Sequence, residues 1–242
     1  MRLLIALLVA AALAPAASAQ WALDDKFQAA KPEDLIDVKS TAAPEGATVL
    51  FDGKGVSKWA KRGGGDVKWR LLDGGVMEGV KGHGDIVSKE QFSTALKLHV
   101  EFRVPYEPAG AGQGRGNSGV YLQGRYEVQI LDSYGLKPGK NDCGAIYEVA
   151  APSVNACKAP TVWQSYDIDF TPPVFDGKSG TKAKPAVMTV LHNGVKIHDA
   201  VLVTSDNTRS GMGGHPSSPG PILLQDHGHP VQFRNVWVVV AK

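Results

Sequence analysis

Two stretches of the chain concentrate the residue types that acid–base chemistry and sugar binding need. In NSGVYLQGRYEVQILDSY, residues 117–134, Arg125, Glu127 and Gln129 alternate with Tyr126, Val128 and Ile130. Successive side chains on a strand point to opposite faces, so if the apolar set faces a core the three polar residues share the other face. The second stretch is the loop LQDHGHP, residues 224–230, with His227 and His229, running into a segment where Gln232 and Arg234 alternate with Val231, Phe233 and Asn235. Carboxylates and imidazoles move protons, planar amides and guanidinium groups bond hydroxyls, and aromatic rings cover sugar faces. Trp59, Trp69, Tyr121, Tyr147, Trp163 and Tyr166 are the aromatic candidates, although core packing is the commoner fate of each. Two polar strand faces that line one cleft are the functional reading. Two solvated faces are the plainer one.

These segments must be held by strands. Leu96, Leu98, Val100, Phe102 and Val104 alternate with Lys97, His99, Glu101 and Arg103, the pattern of a half-buried strand. Val67, Trp69 and Leu71 begin another, and residues 126–130, 162–170, 187–191 and 231–240 complete the set. Asn193-Gly194 between two strand-like runs predicts a type I′ hairpin, which needs positive φ at both central residues. No segment beyond the leader carries a helical stripe; Pro32-Glu33-Asp34-Leu35 offers one helical turn at most. Many short strands without helices predict a single all-β domain over residues 47–242, preceded by an irregular arm over 20–46. Glycine-, proline- and serine-rich stretches at 106–116, 171–185 and 205–221 are loops over that scaffold.

Residues 1–19, MRLLIALLVAAALAPAASA, show one Arg, a short apolar run and Ala-Ser-Ala, as in a secretory signal. The expectation is a periplasmic or secreted protein with no integral membrane segment once the signal is removed. Net charge is +2 and no dense Lys/Arg stripe occurs, which argues against nucleic acid as a partner. With 43% hydrophobic and 21% charged residues the chain can bury a core. Two cysteines, Cys143 and Cys157, predict a disulfide in an oxidising compartment, worth roughly 3 kcal/mol for a loop of about 15 residues. Common catalytic signatures are absent: no Gly-x-Ser-x-Gly, no His-Glu-x-x-His, no phosphate loop and no Cys-x-x-Cys. Gly112-Gln113-Gly114-Arg115-Gly116 reads as a flexible loop, and the alternating Asp167 and Asp169 as a solvated edge rather than a calcium site.

A set of motifs spread over residues 45–242 resembles a known family. It comprises LFDGKGVSKW (50–59), LKLHVEFRVP (96–105), GNSGVYLQGRYEVQILDSYG (116–135), CGAIYEVAAP (143–152), WQSYDIDF (163–170), HNGVKIH (192–198) and GPILLQDHGHPVQFRNVWV (220–238). Together they are similar to the 3-keto-disaccharide hydrolases, also described as 3-keto-glucoside 1,2-lyases and 2-hydroxyglycal hydratases. The resemblance implies a concanavalin-like jelly-roll sandwich of two antiparallel sheets and a 3-keto sugar as substrate. In such a substrate the C3 carbonyl acidifies the C2 proton; a base removes it, the C1 oxygen leaves, and water adds back. That chemistry asks for a base, an acid and donors for the enolate oxygen. Glu127, Asp132 and His227 are candidates for base or acid, Arg234, Gln225 and Asn117 for donors, and Gln129 and Tyr121 for further substrate contacts. No cofactor is required, but a divalent metal on Glu127, Asp132 and His227 is an open alternative. A carbohydrate-binding module without catalysis would use the same sandwich and lack the base, and an envelope interaction domain would bind no sugar at all.

Overall fold

Where the sequence alternates, the chain pairs. The computed structural model describes residues 21–241; the signal segment expected at residues 1–19 lies outside them. Among the described residues fifteen strands are formed. The first eight are β1 (Thr48–Phe51), β2 (Trp59–Lys61), β3 (Arg70–Leu72), β4 (Val76–Glu78), β5 (Ile86–Ser88), β6 (Leu96–Arg103), β7 (Ser118–Leu122) and β8 (Tyr126–Ile130). The rest are β9 (Gln164–Thr171), β10 (Val174–Phe175), β11 (Lys182–Lys184), β12 (Ala186–His192), β13 (Val195–Val203), β14 (Leu223–Leu224) and β15 (Gln232–Val240). The strand expected from Val67 starts only at Arg70, and its three residues are exposed.

All pairings are antiparallel. One sheet has eight strands in the order β13-β12-β9-β6-β15-β4-β3, with β1 added alongside β15. The other has five, β2-β5-β14-β7-β8, and β10 and β11 form a separate hairpin inside the loop expected at 171–185. The Asn193-Gly194 turn joins β12 to β13 with φ of 53° and 78°, as a type I′ hairpin requires. Leu98, Val100, Phe102, Tyr166, Ile168, Phe170 and Phe233 of the large sheet meet Val120, Leu122, Tyr126, Val128 and Ile130 of the small one in a single core. The expected all-β sandwich of two antiparallel sheets is what forms.

The outer face of the large sheet is polar but not solvated. It carries His99 and Glu101 from β6, Ser165 and Asp167 from β9, and Arg234 from β15, placed side by side by strand register. The N-terminal arm lies over this face: Val38 N donates to Trp163 O, and Trp237 Nε1 donates to Thr41 O. Arm and sheet are fastened at Glu101, which is fully buried. Its Oε1 accepts from Ser40 Oγ at 2.6 Å, Thr41 N at 3.2 Å and Asn235 Nδ2 at 2.7 Å, and its Oε2 from Arg234 Nε at 2.6 Å. His99 adds a contact at 3.4 Å and bonds Asp167 with its other nitrogen at 2.9 Å. Burial alone would raise the pKa of Glu101, but its partners His99, Ser40, Asn235 and Arg234 overcome this and hold it at about 2.

The expected Cys143–Cys157 bridge is not formed. Both cysteines are buried thiols. The fold does bring them together, with a ring nitrogen of His192 also within 4.8 Å, but the Cys143 sulfur lies 3.1 Å from Tyr166 Oη. Count and spacing identified the pair; they could not fix where the side chains point.

Glu101 generates the first prediction. A carboxylate depressed from 4.5 to about 2 stabilises the fold fully above pH 4.5, and this contribution is lost as pH falls toward 2. Glu101→Gln should cost roughly 3 kcal/mol at pH 7, because Arg234 and His99 lose a buried counter-charge. Urea unfolding of both proteins should show that gap narrowing steadily between pH 4.5 and pH 2; a constant gap would refute the assignment.

Candidate active site

The outer face of the small sheet is built from the strand pattern around Glu127. On β7 and β8 the register pairs Gly119 with Gln129 and Tyr121 with Glu127, while Val120 and Val128 pair on the core side. Glu127 and Gln129 therefore project away from the core, as period two predicted. Gln225 joins them because its N–H donates to Gly119 O at 3.0 Å, which sets it beside Gly119 at the end of β14. The missing side chain of Gly119 is part of the construction: a Cβ there would collide with Glu127 Oε1 and come within 2.9 Å of Tyr121 Cε2.

β8 is the last strand of its sheet, and its free edge is sealed by loops. Gln129 N donates to Ala145 O, Gly144 N to Gln129 O, and Tyr147 N to Glu127 O. Thr208 completes the edge, accepting from Glu127 N at 3.1 Å on its hydroxyl and donating its own N–H to Arg125 O at 2.9 Å. Arg125, expected to share the polar face, instead ties down the 205–221 loop through Gly213 O and Ser218 O.

Two hydrogen-bond chains meet on this face. In the first, Gln225 Nε2 donates to Tyr121 Oη at 2.9 Å, and the Tyr121 hydroxyl is a partner of the Glu127 carboxylate. In the second, Gln113 accepts from Gln129 Nε2 at 3.0 Å and from Asn117 Nδ2 on both its side-chain and backbone oxygens, at 3.1 and 2.9 Å. Gln113 in turn donates to Asn141 O at 2.8 Å. Acceptors surround both amide nitrogens, which fixes the orientation of each amide. The remaining acceptors are then left without donors. Asn117 Oδ1, Gln129 Oε1 and Glu127 Oε2 are all buried and unpartnered. A buried acceptor left unsatisfied costs about 1–3 kcal/mol, so a site with three is strained until a donor arrives.

Glu127 is 2% exposed, with no Lys or Arg among the groups that shift it. Burial raises its pKa first and foremost, the Tyr121 hydrogen bond opposes this, and Asp85 and Glu148 add to the rise, leaving it at about 7. Tyr121 is pushed well above the ordinary phenol value by burial and by Glu127, so it stays a neutral donor.

The other expected site residues lie elsewhere. Asp132, beyond the end of β8, is held by Arg115 Nε at 3.1 Å. His227 is exposed on its loop, its ring 6.4 Å from that of His229. Glu127, Asp132 and His227 are not brought together, so they form no metal site; among the described residues the three-ligand cluster is Cys143, Cys157 and His192. Arg234 faces out from the large sheet, bonded to Glu101 and stacked 4.2 Å over Trp163, on the opposite side of the sandwich from Glu127. The two polar strands of the sequence belong to different sheets and cannot line one cleft. Asn117, Gln129, Gln225 and Tyr121 are assembled with Glu127. Gln113 was missed because its glycine-rich surroundings read as a flexible loop, whereas it forms a tight turn over Gly112–Gly114. His229, bonded to Glu107 at 2.6 Å, and Asp85, paired with Arg62 at 2.9 Å, carry no sequence signal beyond residue type.

The profile of the 3-keto-alpha-glucoside-1,2-lyase-like domain matches residues 46–239. The chain belongs to this family. It is carbohydrate-active by that membership, and the solved structures agree. A proposed glycosyl hydrolase from Parabacteroides distasonis ATCC 8503 is 38% identical, with a TM-score of 0.73 over 82% of this chain and 85% of its own. A second from the same organism is 24% identical, with a TM-score of 0.58 over 82% of this chain and 95% of its own, and shares the fold. A search of the curated proteins finds no match. The family's matched span includes every member of the Glu127 cluster.

Gly119→Ala tests the packing of this site. The added methyl must displace the Glu127 carboxylate, whereas the sheet hydrogen bonds are untouched. A shift of about 1 Å in a reacting group can cost about 100-fold in rate, so turnover of a sugar substrate should fall by one to two orders of magnitude. Melting of the variant within about 3 °C of the parent would show that the fold survives; unchanged turnover would mean that Glu127 is not where the chemistry occurs.

Proposed function

We propose that the protein is an exported enzyme that cleaves 3-keto-glycosides, with Glu127 as the base that removes the C2 proton. The observation that carries this reading is a buried carboxylate with one oxygen unpartnered, flanked by two more unpartnered acceptor oxygens; burial pushes its pKa up to about 7. A sugar is rich in hydroxyl donors, and Asn117 Oδ1 and Gln129 Oε1 would accept from two of them. A base with a pKa near the working pH is also the best compromise between being ionised and holding a proton.

The steps balance as follows. Glu127 Oε2 takes the C2 proton, and the electron pair of that bond becomes the enolate of the C3 ketone. The enolate expels the C1 oxygen, forming C1=C2, and the protonated Glu127 is the nearest acid for the departing aglycone. Water then adds to C1 while C2 regains a proton, giving the free 3-keto sugar. Tyr121, kept neutral and donating, orients the carboxylate between these steps, and Gln225 orients Tyr121. No oxocarbenium ion is needed, so one carboxylate suffices where a conventional glycosidase uses two.

A 3-keto-glucoside should be cleaved in deuterated water with deuterium at C2 of the product, while the parent glycoside, whose C2 proton is far less acidic, should remain intact. Cleavage of both, or a product without label, would exclude the mechanism. The rate should rise with pH through about 7 as Glu127 ionises. Binding of a plain glycan without turnover of any 3-keto sugar would identify a binding module instead.

Glu127→Gln separates chemistry from stability. Turnover should fall at least about 1,000-fold, with sugar binding retained. A carboxyl whose pKa is raised from 4.5 to about 7 destabilises the fold as pH rises through that interval and has no such effect below it. The variant should therefore be more stable than the parent at pH 8, by on the order of 2 kcal/mol, and equal to it at pH 4. Denaturant titrations at the two pH values check this, and a variant less stable at pH 8 would contradict it.

A further inference from the structure

The Cys143 and Cys157 thiols and the His192 imidazole meet in the interior and share no side chain with the Glu127 cluster. One ligand atom from each lies within 4.8 Å of the other two, and all three residues are buried. His192 arrives from the last position of β12, and Cys143 and Cys157 from the long connection between β8 and β9. The orientation of the histidine is fixed. Its Nε2 lies 3.0 Å from Gln164 Oε1, an oxygen whose identity is set because it also accepts the backbone N–H of Lys158 at 2.9 Å. Nε2 is therefore the donor, and Nδ1 presents a bare lone pair. Nδ1 is buried with no hydrogen-bond partner. An acceptor stranded in this way beside two soft sulfur ligands is explained by an ion that uses all three.

We propose that Cys143, Cys157 and His192 form a structural site for a thiophilic divalent cation of the Zn2+ class. Two thiolates and a neutral imidazole balance the charge of a divalent ion, so the filled site adds no net charge to the core. Zinc–sulfur and zinc–nitrogen bonds of about 2.3 and 2.0 Å require the cluster to contract, and the three residues would supply three of the four tetrahedral positions. Each thiol releases its proton to solvent as the metal binds, and the contact of Cys143 with Tyr166 Oη is a weak one to give up. Cys157 stands in the wall of a cavity of about 540 Å3, between Ala30, Lys31 and Asp34 of the arm and Tyr134 and Leu136 of the connection. The site has a clear task. Gly144, next to Cys143, donates to the backbone oxygen of Gln129, and the Tyr166 hydroxyl donates to that same oxygen at 2.7 Å. An ion joining Cys143 to β12 would lock the connection that seals the β8 edge behind the active face.

The test uses the full chain, reduced and stripped of metal with a chelator, then mixed with Zn2+ or Co2+ and passed through a desalting column. Native mass spectrometry should find one Zn2+ per chain, both thiols should become protected from alkylation, and Co2+ should give an intense thiolate-to-metal absorption band. Cys157→Ser should abolish that band and metal retention. Because that variant changes a buried residue, the wild-type protein supplies the independent check: Zn2+ should raise its melting temperature and Mg2+ should not. Retention of no metal by the reduced wild-type chain overturns the proposal, as does Zn2+ bound with both thiols still open to alkylation. A chain isolated two hydrogens lighter that binds no Zn2+ after reduction would show that these sulfurs serve a disulfide instead.

Discussion

Burying a carboxylate with no cation beside it is the constraint around which the active face is organised. In a low-dielectric interior the ionised form is disfavoured, so such a group is either neutralised, fully hydrogen-bonded or poised to gain and lose a proton near neutrality. Glu127 takes the third course. Tyr121 offers it one hydrogen bond, burial and the distant acids Asp85 and Glu148 push it the other way, and its Oε2 is left with no partner. The sheet must supply the rigidity that keeps water and cations out. It does so through the closely packed Gly119 and through loops that seal the β8 edge.

Glu101, on the other side of the molecule, shows the opposite solution from the same residue type. It is buried as completely, yet Arg234, Ser40, Asn235 and the backbone of Thr41 saturate its oxygens and hold it ionised. One glutamate is a fastener; the other, in the proposed mechanism, is a reagent. What separates them is the supply of donors, not burial. A buried polar network is rigid when every member is satisfied and costly where one is not. On this criterion Arg234 belongs to the fastener, with its Nε–H bonded to Glu101 and its guanidinium stacked on Trp163.

Of the six buried side-chain atoms without a partner among the described residues, Gln123 Oε1 and Tyr126 Oη stand apart, and the other four fall into two groups. Asn117, Gln129 and Glu127 offer acceptors on one outer face, which suits a ligand bearing hydroxyl donors. His192 offers its acceptor in the core beside two thiols, which suits a metal. The backbone of Gln129 links them, because its N–H and carbonyl oxygen are bonded to Ala145 and Gly144 next to Cys143. The stiffness of the Glu127 face thus depends partly on how the connection from β8 to β9 is anchored.

The sequence by itself determined the all-β class, the hairpin at Asn193-Gly194, the family, and the separation of Glu127 and Gln129 from Tyr126, Val128 and Ile130. These follow from period two and local turn chemistry, which are properties of a few neighbouring residues. Only the tertiary structure decided which polar strands share a surface. The face of β8 and the face of β15 look alike in the sequence, but they belong to sheets that present their outer sides in opposite directions, so Arg234 could not join Glu127. Gln113 was illegible because its role depends on a tight turn that sets it against Asn117, just before β7, and Gln129, on β8. Cys143 and Cys157 were identified as neighbours, but their state as thiols beside His192 was not, since the direction of a side chain depends on the whole core that packs around it.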